Sequence, residues 1–379
     1  MTALPLIQTA PVSEIPATYT ALPDEELFDR IRKAKNELGE DLLILGHHYQ
    51  RDEVIQFSDY RGDSLRLAQL AQQQVKPRYV VFCGVHFMAE TADILTRPEQ
   101  TVILPDLRAG CSMADMASMH QLEAAWPLFA ERWGDDGILP ITYVNSTAEI
   151  KAFCARHGGT TCTSSNAQKV LSWAFAQGKR VLFLPDQHLG RNTAAKMGIP
   201  LAQMVVWDPM QGRWEDNRQE SLADESSLGD MRVILWKGHC SVHQRFTVEH
   251  VQQIRQQHPD MRVIVHPECS YEVVQAADED GSTDYIIRRI HNAPPGSQWA
   301  VGTEMNLVNR LAKEHPEQTI VNLSPLYCPC LTMNRIDPPH LLWSLEGLLE
   351  GKVIHPIRVP QEIATWAKLA LDRMLAISQ

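Results

Sequence analysis

The sequence predicts an α/β fold built on parallel sheets, and three observations carry that prediction. Short apolar runs without alternation recur along the chain, amphipathic stretches separate them, and polar loops bearing Gly, His or Cys follow almost every run. Continuous β-branched runs suit strands buried on both faces, as in a parallel sheet. Strand and helix patterns in alternation then give α/β.

The elements follow in chain order. Residues 1–24 carry Pro5, Pro11, Pro16 and Pro23 but no Lys or Arg, which predicts a flexible or surface-draped extension without the basic region of a secretory signal or the arginines of a transit peptide. The run 42–46 opens the first strand and leads into His47-His48-Tyr49, and the stretch 59–74 places Leu65, Leu67, Leu70 and Ala71 near one helical stripe. Next come 79–83, whose Cys83 reads as a core residue, and 101–104 before Pro105-Asp106. The runs 141–144, 180–184, 232–236 and 262–265 lead into Asn145, Pro185-Asp186, Lys237-Gly-His-Cys240 and His266-Pro-Glu-Cys269. Residues 247–257 and 303–314 read as helices, and 366–377 as a closing amphipathic helix. Segment 208–231 holds seven acids against two arginines and few aliphatics, so it reads as a surface insertion. Cys154 and Cys162 flank Gly158-Gly159 and fit either a core or a site. Leu104-Pro-Asp106 and Leu184-Pro-Asp186 hint at repeated domains.

At 379 residues the chain is long enough for two or three domains. Lys+Arg 35 against Asp+Glu 46 gives a net charge of −11 with no basic run, which disfavours nucleic acid and anionic membrane as partners. No apolar stretch approaches the roughly 18 residues that span a bilayer. A soluble, cytoplasmic metabolic protein acting on small molecules fits this composition.

In parallel α/β folds ligands bind beyond the carboxyl ends of strands. His47 and Tyr49, Tyr143 and Asn145, Cys240 and His243, and His266 and Glu268 all stand at such ends. Three hydroxyl-rich helix starts, at Ser64, Ser164 and Ser282-Thr283, read singly as N-caps and together as a cradle for carboxylates or phosphate. The common nucleotide motifs are missing: no G-x-G-x-x-G follows a strand, no P-loop occurs, and no H-E-x-x-H is present. Cys111, Cys240 and Cys328 lie far apart in separate polar loops, which in a reducing compartment points to a metal or a reactive site. His239 and His243 around Cys240 leave zinc open, while three thiolates also allow a four-iron cluster with one iron exposed to substrate.

An ordered set of motifs runs from about residue 42 to residue 349: Gly46-His-His-Tyr-Gln50, Gly62-Asp-Ser64, Phe87-Met-Ala-Glu-Thr91, Ala109-Gly-Cys-Ser-Met-Ala-Asp115, Tyr143-Val-Asn145 and Thr163-Ser-Ser-Asn-Ala167. Pro185-Asp186, Gly238-His-Cys-Ser-Val-His243, His266-Pro-Glu-Cys269, Gly281-Ser-Thr283, Val301-Gly-Thr-Glu304, and Cys328 with Met333-Asn334 complete it. With these motifs the chain resembles the quinolinate synthase family, iron–sulfur transferases of de novo NAD (pyridine nucleotide) biosynthesis.

The resemblance implies three similar three-layer αβα domains with short parallel sheets around a pseudo-threefold axis, and an active site at their junction. The matching boundaries are 25–110 with 351–379 packing back on it, 111–238 including the 208–231 insertion, and 239–350. One cysteine per domain, Cys111, Cys240 and Cys328, would bind a [4Fe–4S] cluster with one open iron, and Cys330 stands two residues away as the alternative third ligand. The implied substrate-binding residues are His47, Tyr49, Ser64, Tyr143, Asn145, Ser164, His266, Glu268, Ser282 and Thr283. Glu268, Tyr49, His266 and His47 would serve as acid/base groups. The implied reaction condenses iminoaspartate with dihydroxyacetone phosphate to quinolinate, losing phosphate and two waters, with the open iron as Lewis acid. An aspartate-oxidising enzyme is the implied functional partner.

Overall fold

The computed structural model describes residues 14–217, 220, 222, 226–326 and 329–378. The described residues of Met1–Cys111, Glu304–Arg310 and Pro329–Gln361 form one compact unit, and those of Ser112–Thr303, Leu311–Cys328 and Glu362–Gln379 form another.

In the first unit, strands β1 (Leu42–His47), β2 (Tyr60–Gly62), β3 (Tyr79–Cys83) and β4 (Thr101–Ile103) lie in the order β2-β1-β3-β4, all parallel, and the short strand Pro356–Ile357 runs antiparallel on β4. Every residue of β1 is buried, as its unbroken apolar pattern requires. The stretch 59–74 is not helical throughout: it opens with β2, and the helix Ser64–Gln73 begins only where Asp63 caps it by accepting a bond from Arg66 N at 2.8 Å. Helix Asp24–Leu38 turns Leu27, Ile31 and Ala34 inward and places three acids in its first turn, at the positive end of its dipole. Its Arg30 grips Glu346 through Nε and Nη2 at 2.9 and 2.7 Å. Tyr19, in the turn Ala17–Thr20 of the N-terminal extension, bonds the same carboxylate.

The second unit carries two sheets. One has β5 (Ile138–Tyr143), β6 (Thr160–Cys162), β7 (Arg180–Leu184), β8 (Met204–Asp208), β9 (Arg213–Glu215) and β10 (Val233–Trp236) in the order β6-β5-β7-β10-β8-β9. The other has β11 (Arg262–Val265), β12 (Glu279–Asp280), β13 (Gln298–Gly302) and β14 (Thr319–Asn322) in the parallel order β12-β11-β13-β14. With the β8–β9 hairpin and the short strand Pro356–Ile357 set aside, all three sheets repeat one plan, second strand, first, third, fourth. The sheets thus repeat as topology, but the two Pro-Asp signatures do not mark it, because Pro105-Asp106 follows a fourth strand and Pro185-Asp186 a third.

Two expectations need correction. Segment 208–231 is not merely a surface insertion: β8 and β9 pair as an antiparallel hairpin, and Trp214 packs on Trp207 with ring centroids 4.7 Å apart, close to Phe129. Its acids Asp208 and Glu215 are buried because Lys237 lies between them, 2.9 Å from Asp208 and 2.7 Å from Glu215. An acid-rich composition hid Trp214, Leu228 and Met231, which are buried in the core. The closing helix, Gln361–Ser378, packs on β6 rather than on the first domain: Thr160 Oγ1 donates to Ala370 O at 2.8 Å, and Arg156 meets Glu362 at 2.6 Å. Only residues as far as Gln361 group with the first unit.

Gly238, at the root of the Cys240 loop, runs so close to β7 that a Cβ would sit 2.3 Å from Pro185 O. Backbone cannot yield as a side-chain tip can. Gly238→Ala should therefore cost about 2–3 kcal/mol in urea denaturation; an unchanged midpoint would show that this approach is not fixed.

Candidate active site

The three-sheet plan places the polar residues at equivalent strand ends. At or just past the end of each first strand come His47 and Tyr49, Tyr143 and Asn145, or His266 and Glu268. After each second strand come Ser64, Ser164 or Ser282 and Thr283. The fourth strands of the first two sheets lead to Cys111 and Cys240. Cys328, after the fourth strand of the third sheet, lies outside the described residues, so the structure does not decide between it and Cys330.

In the second unit, Glu268 is the centre of a buried polar group. His243 Nδ1 lies 2.8 Å from Glu268 Oε2 and His243 Nε2 lies 3.1 Å from Thr303 Oγ1. The His243 and His266 rings stack with centroids 4.6 Å apart, and the Tyr143 hydroxyl also bonds Glu268. Burial opposes the charge on Glu268, but His266, His243 and the hydrogen bonds from His243 and Tyr143 outweigh it and hold the carboxyl below its usual range. Burial lowers His266 to about 3, so its imidazole is neutral at pH 7.

Asp186 follows β7 and caps helix Gln187–Lys196 through a bond from Leu189 N at 2.8 Å. Burial, reinforced by the nearby Glu268 charge, pushes Asp186 well above the usual carboxylate range. The two carboxyls are thus shifted in opposite directions, Glu268 down by its imidazole and phenol partners and Asp186 up by burial. Sequence reasoning quoted Asp186 in a motif but gave it no role.

Cys240 Sγ, a His243 nitrogen and a Glu268 oxygen lie within 4.8 Å of one another and form a candidate metal group. Of its three donors, His243 is the least available. A neutral imidazole has one lone pair, and both His243 nitrogens already face Glu268 and Thr303, so binding a metal would break a buried hydrogen bond. Cys111 and Cys240 are partly exposed, whereas Cys83, Cys154, Cys162 and Cys269 are buried and burial raises all four thiols, Cys83 to about 12. The described cysteines form no disulfide.

A cavity of 340 Å³ is lined by Ser164, Asn192, Lys196, Asp280, Ser282 and Arg288, among others. Ser282 is the N-cap of helix Thr283–His291, accepting from Tyr285 N at 3.2 Å, which leaves its O–H to donate elsewhere. The cap of the Ser64 helix is Asp63, so the Ser64 hydroxyl is not spent on capping. Ser164 lies three residues before helix Ala167–Phe175.

In the first unit, the loop after β1 is held from helix Met305–Glu314. Arg310 donates to His48 O at 3.0 Å, to Gln50 O, and to Asp52 Oδ1 at 2.9 Å, while Asn306 Nδ2 donates to Tyr49 O at 3.1 Å and Asn334 Oδ1 at 3.0 Å. Tyr49 N donates to His47 Nδ1 at 3.1 Å, and the two rings meet edge-on with centroids 4.9 Å apart. Glu304 accepts from Asn306 N at 2.8 Å and Cys330 N at 3.2 Å, and burial raises its carboxyl to about 7. Asp106 ties the approach to Cys111 to Arg335, accepting from Arg108 N at 2.9 Å and Arg335 Nε at 3.0 Å. These clamps escaped sequence reasoning; the signal was polar residues at helical positions where a core face calls for apolar ones.

The family model described as quinolinate synthetase A protein matches residues 29–376. The chain belongs to the quinolinate synthetase A family. It is 62% identical over 362 residues to the quinolinate synthase of Anoxybacillus flavithermus, covering 96% of each chain. It is 59% identical over 373 residues to that of Geobacillus kaustophilus, covering 98% of this chain and 99% of the relative. With the quinolinate synthase of Halalkalibacterium halodurans the identity is 60% over 362 residues, 96% of each chain. Among the described residues no helix is long and apolar enough to cross a membrane.

For this family member, Arg310→Met should raise amide exchange across residues 48–52 by about 30-fold, because two buried carbonyls lose their donors. Exchange in β11 should not change, and equal rates at 48–52 in both proteins would remove Arg310 from the clamp.

Proposed function

We propose that this chain is a cytoplasmic quinolinate synthase, condensing iminoaspartate with dihydroxyacetone phosphate to quinolinate with loss of phosphate and two waters. The observation that carries the reading is identity of 59–62% to quinolinate synthases over 96–98% of the chain. The strand-end cradle of hydroxyls and buried acids is what such a reaction requires. The reading includes three αβα domains about a pseudo-threefold axis with the site at their junction, supported by the common strand order of the three sheets.

Cys111, Cys240 and Cys328 would hold a [4Fe–4S] cluster, whose open iron supplies Lewis acidity toward a departing hydroxide. Ser64, Ser164, Ser282 and Thr283 donate hydrogen bonds to carboxylate or phosphate, worth roughly 1.5–3 kcal/mol each when charge-assisted. Tyr143 and Asn145 position the condensing partner. Glu268, ionised and bonded by His243, takes protons during enolisation and tautomerisation, with Tyr49 as a second proton-moving group. His266, neutral in its buried setting, offers a hydrogen bond rather than a positive charge, and His47, the last residue of β1, is a second imidazole that binds the anion or moves a proton. Iminoaspartate is unstable in water, so an aspartate-oxidising enzyme would supply it.

Anaerobically prepared protein should form quinolinate from the two substrates and carry close to four irons and four sulfides per chain, the number being that of the proposed cluster. One zinc without sulfide would end the cluster assignment. Cys111→Ala, Cys240→Ala and Cys328→Ala should each lose iron and turnover while Cys330→Ala keeps both; the reverse result at the last two would move the third ligand to Cys330. Glu268→Gln should retain iron but lose at least about 100-fold in kcat, in the range expected for a general base, and normal turnover would exclude it from proton transfer.

A further inference from the structure

Asn192 has a hydrogen-bonding group that its structural role leaves over. Helix Gln187–Lys196 turns it inward at 2% exposure, where Nδ2 donates to Pro267 O and to Cys269 O, each at 2.9 Å. These carbonyls bracket Glu268, so the amide clamps the loop that carries it. Spending both N–H bonds on carbonyls fixes the orientation of the amide, because the flipped form would set Oδ1 against two carbonyl oxygens. Oδ1 is therefore directed away from the loop. It is buried without a partner among the described residues, and Asn192 lines the 340 Å³ cavity. A buried acceptor with no donor is destabilising, and native structures rarely keep one without use.

Arg310 supplies an internal control. It lies six residues after Glu304, as Asn192 lies six after Asp186. It donates to His48 O and Gln50 O, one and three residues past His47, just as Asn192 serves the carbonyls one and three residues past His266. Clamping such a loop takes donors alone, and arginine has nothing else to offer. The acceptor on Asn192 is surplus to that task.

We propose that Asn192 Oδ1 is a substrate-binding group, accepting a hydrogen bond from an N–H or O–H on the carbon skeleton of an anionic substrate. Ser164, Ser282, Lys196 and Arg288 around the cavity are donors suited to carboxylate or phosphate, with Lys196 shared with Asp280, which also lines it, and Arg288 paired with Asp284 at 3.0 Å. Those groups recognise charge; the Asn192 oxygen recognises whether the anion also bears a donor. A site built around a hydrogen bond rejects the analogue that lacks it, because its own group is left unpaired. The proposal rests on the reading of this cavity as part of the substrate site.

Malate and succinate differ by one hydroxyl and serve as probes in calorimetric titration of the anaerobically prepared holoprotein. The unmodified protein should bind malate about tenfold more tightly, and Asn192→Ala should bind both with equal affinity. Asn192→Ser, which keeps one donor for the loop, repeats the measurement if the alanine variant unfolds. Equal affinities in the unmodified protein, or a malate preference that persists in the variants, would overturn the assignment. Quinolinate formation by the unmodified protein tests the wider reading separately: turnover without discrimination removes Asn192 alone, and discrimination without turnover removes the enzyme assignment alone.

Discussion

A parallel strand ends with backbone carbonyls that the next strand no longer satisfies, and the loop that follows must find donors for them. A buried loop that fails to do so is costly. After β1 the donors are the Arg310 guanidinium and the Asn306 amide; after β11 they come from Asn192. Everything chemical in these loops depends on that constraint, because His47, Tyr49, His266 and Glu268 are held only as firmly as the peptide groups between them. The helix after the third strand is therefore part of the site, although it supplies few of the groups that would meet a ligand.

The plan repeats while the chemistry varies. Three sheets share one strand order, yet the first-strand loops present imidazole with phenol, phenol with amide, and imidazole with carboxylate. A common scaffold thus places three different pairs in equivalent surroundings. Around Glu268 the polar partners are close, and His266, His243 and the Tyr143 bond hold its carboxyl below the usual range while burial pushes Asp186 above it.

Much of this could be read from the residues. Unbroken apolar runs became strands buried on both faces, and the residues following them, from His47 to Glu268, stand where ligands bind in such folds. The helices 303–314 and 247–257 were both legible from their periodicity, and the structure adds a capping box between Thr247 and His250 at the start of the second. What escaped notice lacks periodicity. Trp214 and Glu215 sit in an acid-rich stretch whose average conceals them, and Lys237 reads as a surface charge until Asp208 and Glu215 are seen on either side of it. Asn192 and Arg310 act on backbone atoms distant in sequence, and no local pattern announces such a contact. The closing helix was recognised as amphipathic, but the partner of its apolar face depends on Thr160 and Asn166, more than 200 residues earlier.

Burial also divides the thiols by reactivity. Cys83, Cys154, Cys162 and Cys269 are sealed in the interior and kept protonated at neutral pH. An alkylating reagent attacks the thiolate, so in the folded chain these four are silent. Label taken up before denaturation then reports on the loop cysteines alone, and its exclusion by a bound group can be followed without altering a single residue.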